Sequence, residues 1–240
     1  MINSIPFKAK QYKEALIETF IEIDKQLMEE WEMSLITENN VRRYEGGTTT
    51  CVALITEREV YVANCGDSRC VLSNKGTAIQ MSKDHKLSSK VERNRIIRAG
   101  GTIEAGRIDG ILALPRSIGD LKFKSNQNLE WDEQIVIAVP DVKVENLNDV
   151  DFIFIACDGV WDCIGCQELV NLFSSHINEN EKLSKTIGKL FNKILPDTID
   201  GSRGTDNMTG VIIKLKWWMC VRLMLYIYLY GFGTDYNSLL

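Results

Sequence analysis

Apolar residues at Tyr12, Leu16, Phe20, Ile23, Leu27 and Trp31 recur at spacings of four, four, three, four and four. That period places them on one face of a long amphipathic helix, with Lys13, Glu18, Glu22, Lys25 and Glu29 solvated on the other. The pattern then changes to β. Gly46-Gly-Thr-Thr-Thr50 introduces two β-rich runs, Cys51–Thr56 and Val60–Asn64, and the short polar link Glu57-Arg-Glu59 between them predicts a hairpin. Val71-Leu72 prolongs the strand pattern up to the turn signal Ser73-Asn-Lys-Gly76.

Ser89 with Glu92 three residues on reads as a capping box, and Gly100-Gly101 as a stop, so Lys90 to Ala99 is expected to be a short helix. Turn formers between Gly106 and Asp120 surround Ile111–Leu114, which suggests a short strand between loops. The continuous apolar runs Ile135–Val139 and Phe152–Ala156 have the pattern of strands covered on both faces. Helices are expected at Gln167–Ile177 and Leu183–Ile194, and a closing strand at Val211–Leu215. Helix, several strands, helices and a last strand make a mixed α+β domain rather than an alternating βαβ array, and there is no internal repeat.

The chain has 240 residues, enough for a sizeable core, and 45% hydrophobic with 25% charged residues is an ordinary folded composition. A net charge of −5 with scattered basic residues disfavours nucleic-acid binding and suits a cationic ligand better. Seven cysteines form an odd set, several inside apolar runs, as small buried thiols in a reducing compartment would be. With no signal-like stretch at Met1–Lys8, a cytoplasmic or nuclear location is expected. The segment from Trp217 to Gly233 is almost wholly apolar and aromatic, with Arg222 its only charge. A central Arg costs about 2.5–3.5 kcal/mol on insertion scales, so a membrane role is disfavoured against an appended helix or a tail without function.

Three acidic residues share a placement that stability does not require. Asp67 and Asp158 each follow a predicted strand, and Asp206 precedes the last one by a short loop. Taken singly, each is a turn residue. Taken together, carboxylates at converging strand ends repel one another unless a cation neutralises them, and their oxygens favour hard ions such as Mg²⁺ or Mn²⁺. The two histidines, His85 and His176, lie far apart in sequence and belong to no HExxH motif. Cys163-Ile-Gly-Cys166 has no second CxxC pair and no βαβ context, so it reads as a loop and helix start. The glycine-rich stretch Gly100–Gly110 lacks both a Gly-Lys-Ser/Thr ending and a GxGxxG spacing, and turns explain it better than nucleotide binding.

The set as a whole resembles the metal-dependent protein Ser/Thr phosphatases of type 2C, the PPM family. The stretches that carry the resemblance are Gly46–Thr50, Ala63-Asn-Cys-Gly-Asp-Ser-Arg69, Asp84-His-Lys86, Ala99-Gly-Gly101, Leu112-Ala-Leu-Pro-Arg-Ser-Ile-Gly-Asp120, Phe154-Ile-Ala-Cys-Asp-Gly-Val-Trp-Asp162 and Asp206-Asn-Met208. They span roughly residues 10 to 216, which would form a partial domain followed by the apolar tail 217–240. The resemblance implies a type 2C phosphatase-like β-sandwich of two antiparallel sheets flanked by helices. It implies a binuclear Mn²⁺ or Mg²⁺ centre at one end, a phosphoprotein substrate and hydrolysis of phosphoserine or phosphothreonine by metal-bound water, with no covalent nucleophile. By motif, Asp158 and Asp206 correspond to ligands of the binuclear centre, and Asp67 and Asp162 to acids of a more weakly held additional metal and its waters. Cys157 is then a strand residue rather than a nucleophile, and His85 a structural residue with proton transfer as the minor alternative.

Some family features are not found among the first residues. The resemblance implies an Arg-containing segment, an acidic metal-site residue and an Asp-Gly-His-Gly motif upstream of the first helix, and Met1–Lys10 supplies none of them. The domain is therefore expected to be N-terminally incomplete, with sheet edges exposed, and little or no turnover is expected from these 240 residues alone. Pro115 stands where Ser usually precedes the Arg, and Leu87 where Pro usually follows Asp-His-Lys. Two readings follow: a protein Ser/Thr phosphatase, and a non-catalytic pseudophosphatase that binds a phosphoprotein or partner.

Overall fold

The computed structural model describes residues 1–37, 46–177, 182–196 and 204–215. A one-turn helix α1 (Ile5–Lys8) precedes the long α2 (Tyr12–Thr37). Five strands follow: β1 (Gly47–Thr48), β2 (Thr50–Ile55), β3 (Glu59–Cys65), β4 (Arg69–Asn74) and β5 (Thr77–Gln80). Then come α3 (Lys90–Arg98), β6 (Ile103–Glu104), β7 (Arg107–Ile108), β8 (Ile118–Gly119), a 3₁₀ turn at Leu121–Lys124, β9 (Asp141–Asn146) and β10 (Val150–Ala156). The chain continues through α4 (Asp158–Trp161), α5 (Cys166–Ile177), α6 (Leu183–Ile194) and β11 (Gly210–Lys214).

Two antiparallel sheets face each other, one ordered β11-β10-β4-β5 and the other β2-β3-β9. The two-residue alternation of strand side chains accounts for the layers. Ile153 and Ile155 of β10 and Cys70 and Leu72 of β4 pack against Cys51 and Ala53 of β2 and Val60 and Val62 of β3. On the other face of the first sheet, Phe152, Phe154 and Val71 pack against Leu169, Val170 and Phe173 of α5 and Leu190 of α6. On the outer face of the second, Val52, Leu54 and Ala63 receive Leu16 and Phe20 of α2. Helices thus cover a sandwich on both sides, the mixed antiparallel architecture the sequence predicts.

The β2–β3 hairpin pairs Thr50 with Cys65 through Ile55 with Val60, in keeping with the predicted link. The turn after β4 narrows to Lys75-Gly76, both at positive φ, as a tight hairpin turn demands.

Several expectations are corrected. Ile111–Leu114 forms no strand; its only pairing is a single bridge from Leu112 to Ile108. Ile135–Val139 is a buried irregular segment with one bridge, Arg116 to Ile137: its Val136, Ile137 and Ala138 are buried, but no strand lies alongside to continue a ladder. Conversely β9, which pairs with β3, is an edge strand in which valines alternate with charged residues, so no apolar run marks it. Helix α3 begins at the predicted place, but Ser89 makes no side-chain cap and Glu92 faces inward. The apolar segment 217–233 lies outside the described residues, and among those described no helix is long and apolar enough to cross a membrane.

Candidate functional site

One end of the sandwich collects the strand termini that carry the acids. Asp67 sits in the link between β3 and β4, Asp158 where β10 passes into α4, Asp162 just beyond that turn, and Asp206 in the loop ahead of β11. β10 pairs with both β4 and β11, with Ala156 opposite Arg69 on one side and Gly210 on the other, so adjacent ladders bring these ends together.

Local bonds fix each turn. The Asp158 carboxylate accepts from the Gly159 amide at 2.9 Å, and the Asp206 carboxylate from the Asn207 amide at 2.7 Å. The Asp162 amide donates to the Asp158 carbonyl, which places the two acids one helical turn apart. Gly159 lies directly against the Asn207 carbonyl, and a Cβ on it would overlap that oxygen. Cys157 completes the junction: its amide donates to the Thr209 carbonyl, its thiol donates to the Asn207 carbonyl, and its sulfur accepts from the Thr209 amide. Burial holds that thiol above its ordinary pKa, so it is a packed strand-end residue and not a thiolate.

The electrostatics show the cost of this assembly. Burial first, then the charges of Asp67, Asp206 and Asp162, push the Asp158 carboxyl up to about 6. Asp67 is 6% exposed and receives the Lys86 ammonium at 2.5 Å. Burial works to lower the Lys86 pKa, but the Asp67 bond together with the charges of Asp67, Asp162 and Asp84 outweighs it and leaves the ammonium raised.

A frame of polar contacts surrounds the acids. Arg69 grips Asp84 through two bonds of 2.8 and 2.7 Å, stacks over Trp161 and donates to the Cys166 sulfur. The Trp161 indole donates to the Ala156 and Arg69 carbonyls, tying α4 back to β10 and β4. Cys166 opens α5, as a loop and helix start should, and the six described cysteines are all free thiols. His85, 4% exposed, accepts from the Gly66 amide at Nδ1, and its own amide donates to the Gly66 carbonyl. It holds the backbone immediately before Asp67, a structural use of the ring.

The four aspartates are a hard, all-oxygen donor set at one edge, and their mutual repulsion is what a divalent cation would relieve. The fit is partial. Among the described residues no three acidic, histidine or cysteine side chains close around one point, and Asp67 is held by an ammonium. Sequence reasoning missed two ionic groups, Glu92–Arg116–Asp141, which runs from the buried Glu92 out to the exposed Asp141, and the fully buried Asp24–Lys124. Asp24 was legible only as a polar interruption at the fourth position between Phe20 and Met28 on the buried helix stripe.

The family model "Protein phosphatase 2C" matches residues 2–198. Probable protein phosphatase 2C 21 of Arabidopsis thaliana is 48% identical over 172 residues, 71% of this chain and 48% of the relative. Probable protein phosphatase 2C 3 of Paramecium tetraurelia is 41% identical over 226 residues, 90% of this chain and 75% of the relative. The chain thus spans about half the length of the plant relatives it matches. A solved serine-threonine phosphatase 2C from Toxoplasma gondii superposes with a TM-score of 0.68 at 17% identity, over 90% of this chain and 77% of the other, a likeness of fold.

Proposed function

The chain belongs to the protein phosphatase 2C family of Ser/Thr phosphatases, and on that premise we propose that it hydrolyses phosphoserine and phosphothreonine in a protein substrate. The observation that carries the reading is the convergence of Asp158, Asp206, Asp67 and Asp162 on one edge, where burial first, and then the three neighbouring carboxylates, lift the Asp158 pKa to about 6. Asp158 and Asp206 would hold two Mn²⁺ or Mg²⁺ ions, and Asp67 and Asp162 a further one. Such ions, when bound, neutralise the phosphoryl oxygens and activate a water for in-line attack. The chain's own residues bind and orient. The Gly159–Asn207 contact keeps the Asp158 and Asp206 turns in register, and Lys86 and His85 hold the Asp67 turn on the opposite side. The six free thiols among the described residues support a reducing, cytoplasmic or nuclear setting, and residues 1–216 are read as one type 2C phosphatase-like domain.

A second reading, a non-catalytic phosphoprotein-binding module, is favoured by the open arrangement of the described acids and by the Lys86–Asp67 pair. The two readings separate on Mn²⁺-dependent phosphate release from a phosphothreonine peptide, with Asp158→Asn as control. Release abolished by that substitution supports the hydrolase; absent or metal-independent release leaves only the binding module.

A further inference from the structure

A continuous chain of ionic and polar contacts runs from α3 to the backbone before Asp67. Glu92, buried on the inner face of α3, accepts at Oε2 from Arg95 and at Oε1 from Arg116 Nε (3.0 Å) and Nη2 (2.6 Å). Arg116 Nη1 donates to Asp141 Oδ1 at 3.0 Å and to the Val139 carbonyl at 3.0 Å. The other Asp141 oxygen lies 3.2 Å from His85 Nε2. His85 Nδ1 lies 3.0 Å from the Gly66 nitrogen.

The last link fixes the chemistry of the one before. A backbone amide only donates, so Nδ1 is the acceptor and the ring proton sits on Nε2, from which it is donated to Asp141. The Gly66 backbone cannot shift freely to compensate. It has φ +109, and a Cβ there would lie 2.5 Å from the Thr49 methyl. Two consecutive residues therefore act on one turn: His85 clamps Gly66, and Lys86 binds Asp67. At the far end Arg95 is itself locked by the Pro115 and Gln134 carbonyls, so Glu92 has a single orientation. Truncating any member leaves a buried charge or donor without its partner.

We infer that Glu92 and Arg116 are positioning residues for Asp67, acting through Asp141 and the Nε2–H tautomer of His85. The inference rests on the reading of Asp67 as a cation-site acid, but its test needs no metal. Long-range ¹H–¹⁵N spectra of the metal-free chain assign the His85 tautomer, since His176 is the only other histidine. Amide hydrogen exchange reports the Gly66 clamp. The wild type should show Nδ1 unprotonated and Gly66 protected. In Arg116→Lys, which keeps the charge but not the two-sided bridge, the single tautomer should be lost. Gly66 exchange should then quicken about tenfold or more, while Ile153 and Ile155 in β10 keep their protection. Glu92→Gln, which retains one acceptor oxygen, is measured in the same way and is decisive if Arg116→Lys does not fold. A wild-type Nδ1–H ring, or an unchanged Gly66 and His85 in a folded variant, overturns the inference. A Mn²⁺ titration read by water-proton relaxation adds the link to the site. Weaker binding in the variants supports it, and equal binding overturns the positioning role. Failure of the wild type to bind at all, with the spectra as expected, counts against the metal reading of Asp67 and therefore against its positioning for that purpose, while leaving the clamp itself intact.

Discussion

Gly159 of α4 and Asn207 ahead of β11 touch backbone to backbone, with no room for a side-chain carbon between them. This contact, between residues forty-eight positions apart in sequence, brings the Asp158 and Asp206 turns together. Gly159→Ala must push one turn away, at a cost of about 1–3 kcal/mol for overpacking, and should weaken Mn²⁺ binding. Gly188 in α6 is the contrast. A Cβ there meets nothing within 4 Å, so Gly188→Ala should stabilise the protein by about 0.5–1 kcal/mol and leave the site untouched. Urea unfolding and a Mn²⁺ titration of both variants check the pair.

Asp24 and Lys124 form a 2.7 Å ion pair in which neither side chain is exposed, and the pair is closed by the Gly119 amide and the Ser117 carbonyl. Removing one partner strands a buried charge. Lys124→Met should cost about 3–5 kcal/mol, and the double replacement Asp24→Leu with Lys124→Met should cost less than the single. Denaturation midpoints of the single and double variants measure this, and a double variant worse than the single would contradict it.

The hydrogen bond from His85, with help from the Arg116 charge, lowers the Asp141 carboxyl from 3.8 to about 2. A lowered carboxylate pKa means that folding favours the ionised form. Its contribution is complete above about pH 4 and is lost as the pH falls toward about 2. Asp141 is more than half exposed, so solvent screens the effect. Asp141→Asn should flatten the fall in stability between pH 4 and pH 2.5. A series of urea midpoints over that range, for wild type and variant, gives the comparison.

Much of this fold could be read from the sequence where one physical signal dominated. The 3.6 period fixed α2, and the Glu57-Arg-Glu59 link fixed the β2–β3 hairpin. The unbroken run Phe152–Ala156 marked the central strand. The signal failed where burial and strand pairing part company. Ile135–Val139 is as apolar as β10 but fills a gap without a ladder, whereas β9 gains its pairing from β3 although charged residues alternate along it. The site divides in the same way. The aspartates stood out by their positions at strand ends. Glu92 passed for a helix cap because a carboxylate three residues into a helix serves a cap or a buried ion pair equally well, and only the approach of Arg116 from a distant loop decides.

Asp158 also makes a prediction in the absence of metal. Its charge is crowded by three like charges, so Asp158→Asn should raise the melting temperature of the metal-free protein while abolishing stabilisation by Mn²⁺. Thermal unfolding with a chelator present, and again with Mn²⁺, checks both halves.

The aspartate edge as a divalent-cation site is tested most directly by calorimetric titration of Mn²⁺ into the intact chain, alongside Asp158→Asn and Asp206→Asn. Saturable binding in the wild type, lost or weakened at least tenfold in each variant, is the predicted result; a tenfold loss corresponds to about 1.4 kcal/mol. Undiminished Mn²⁺ binding in both variants, or none in the wild type, would contradict the account.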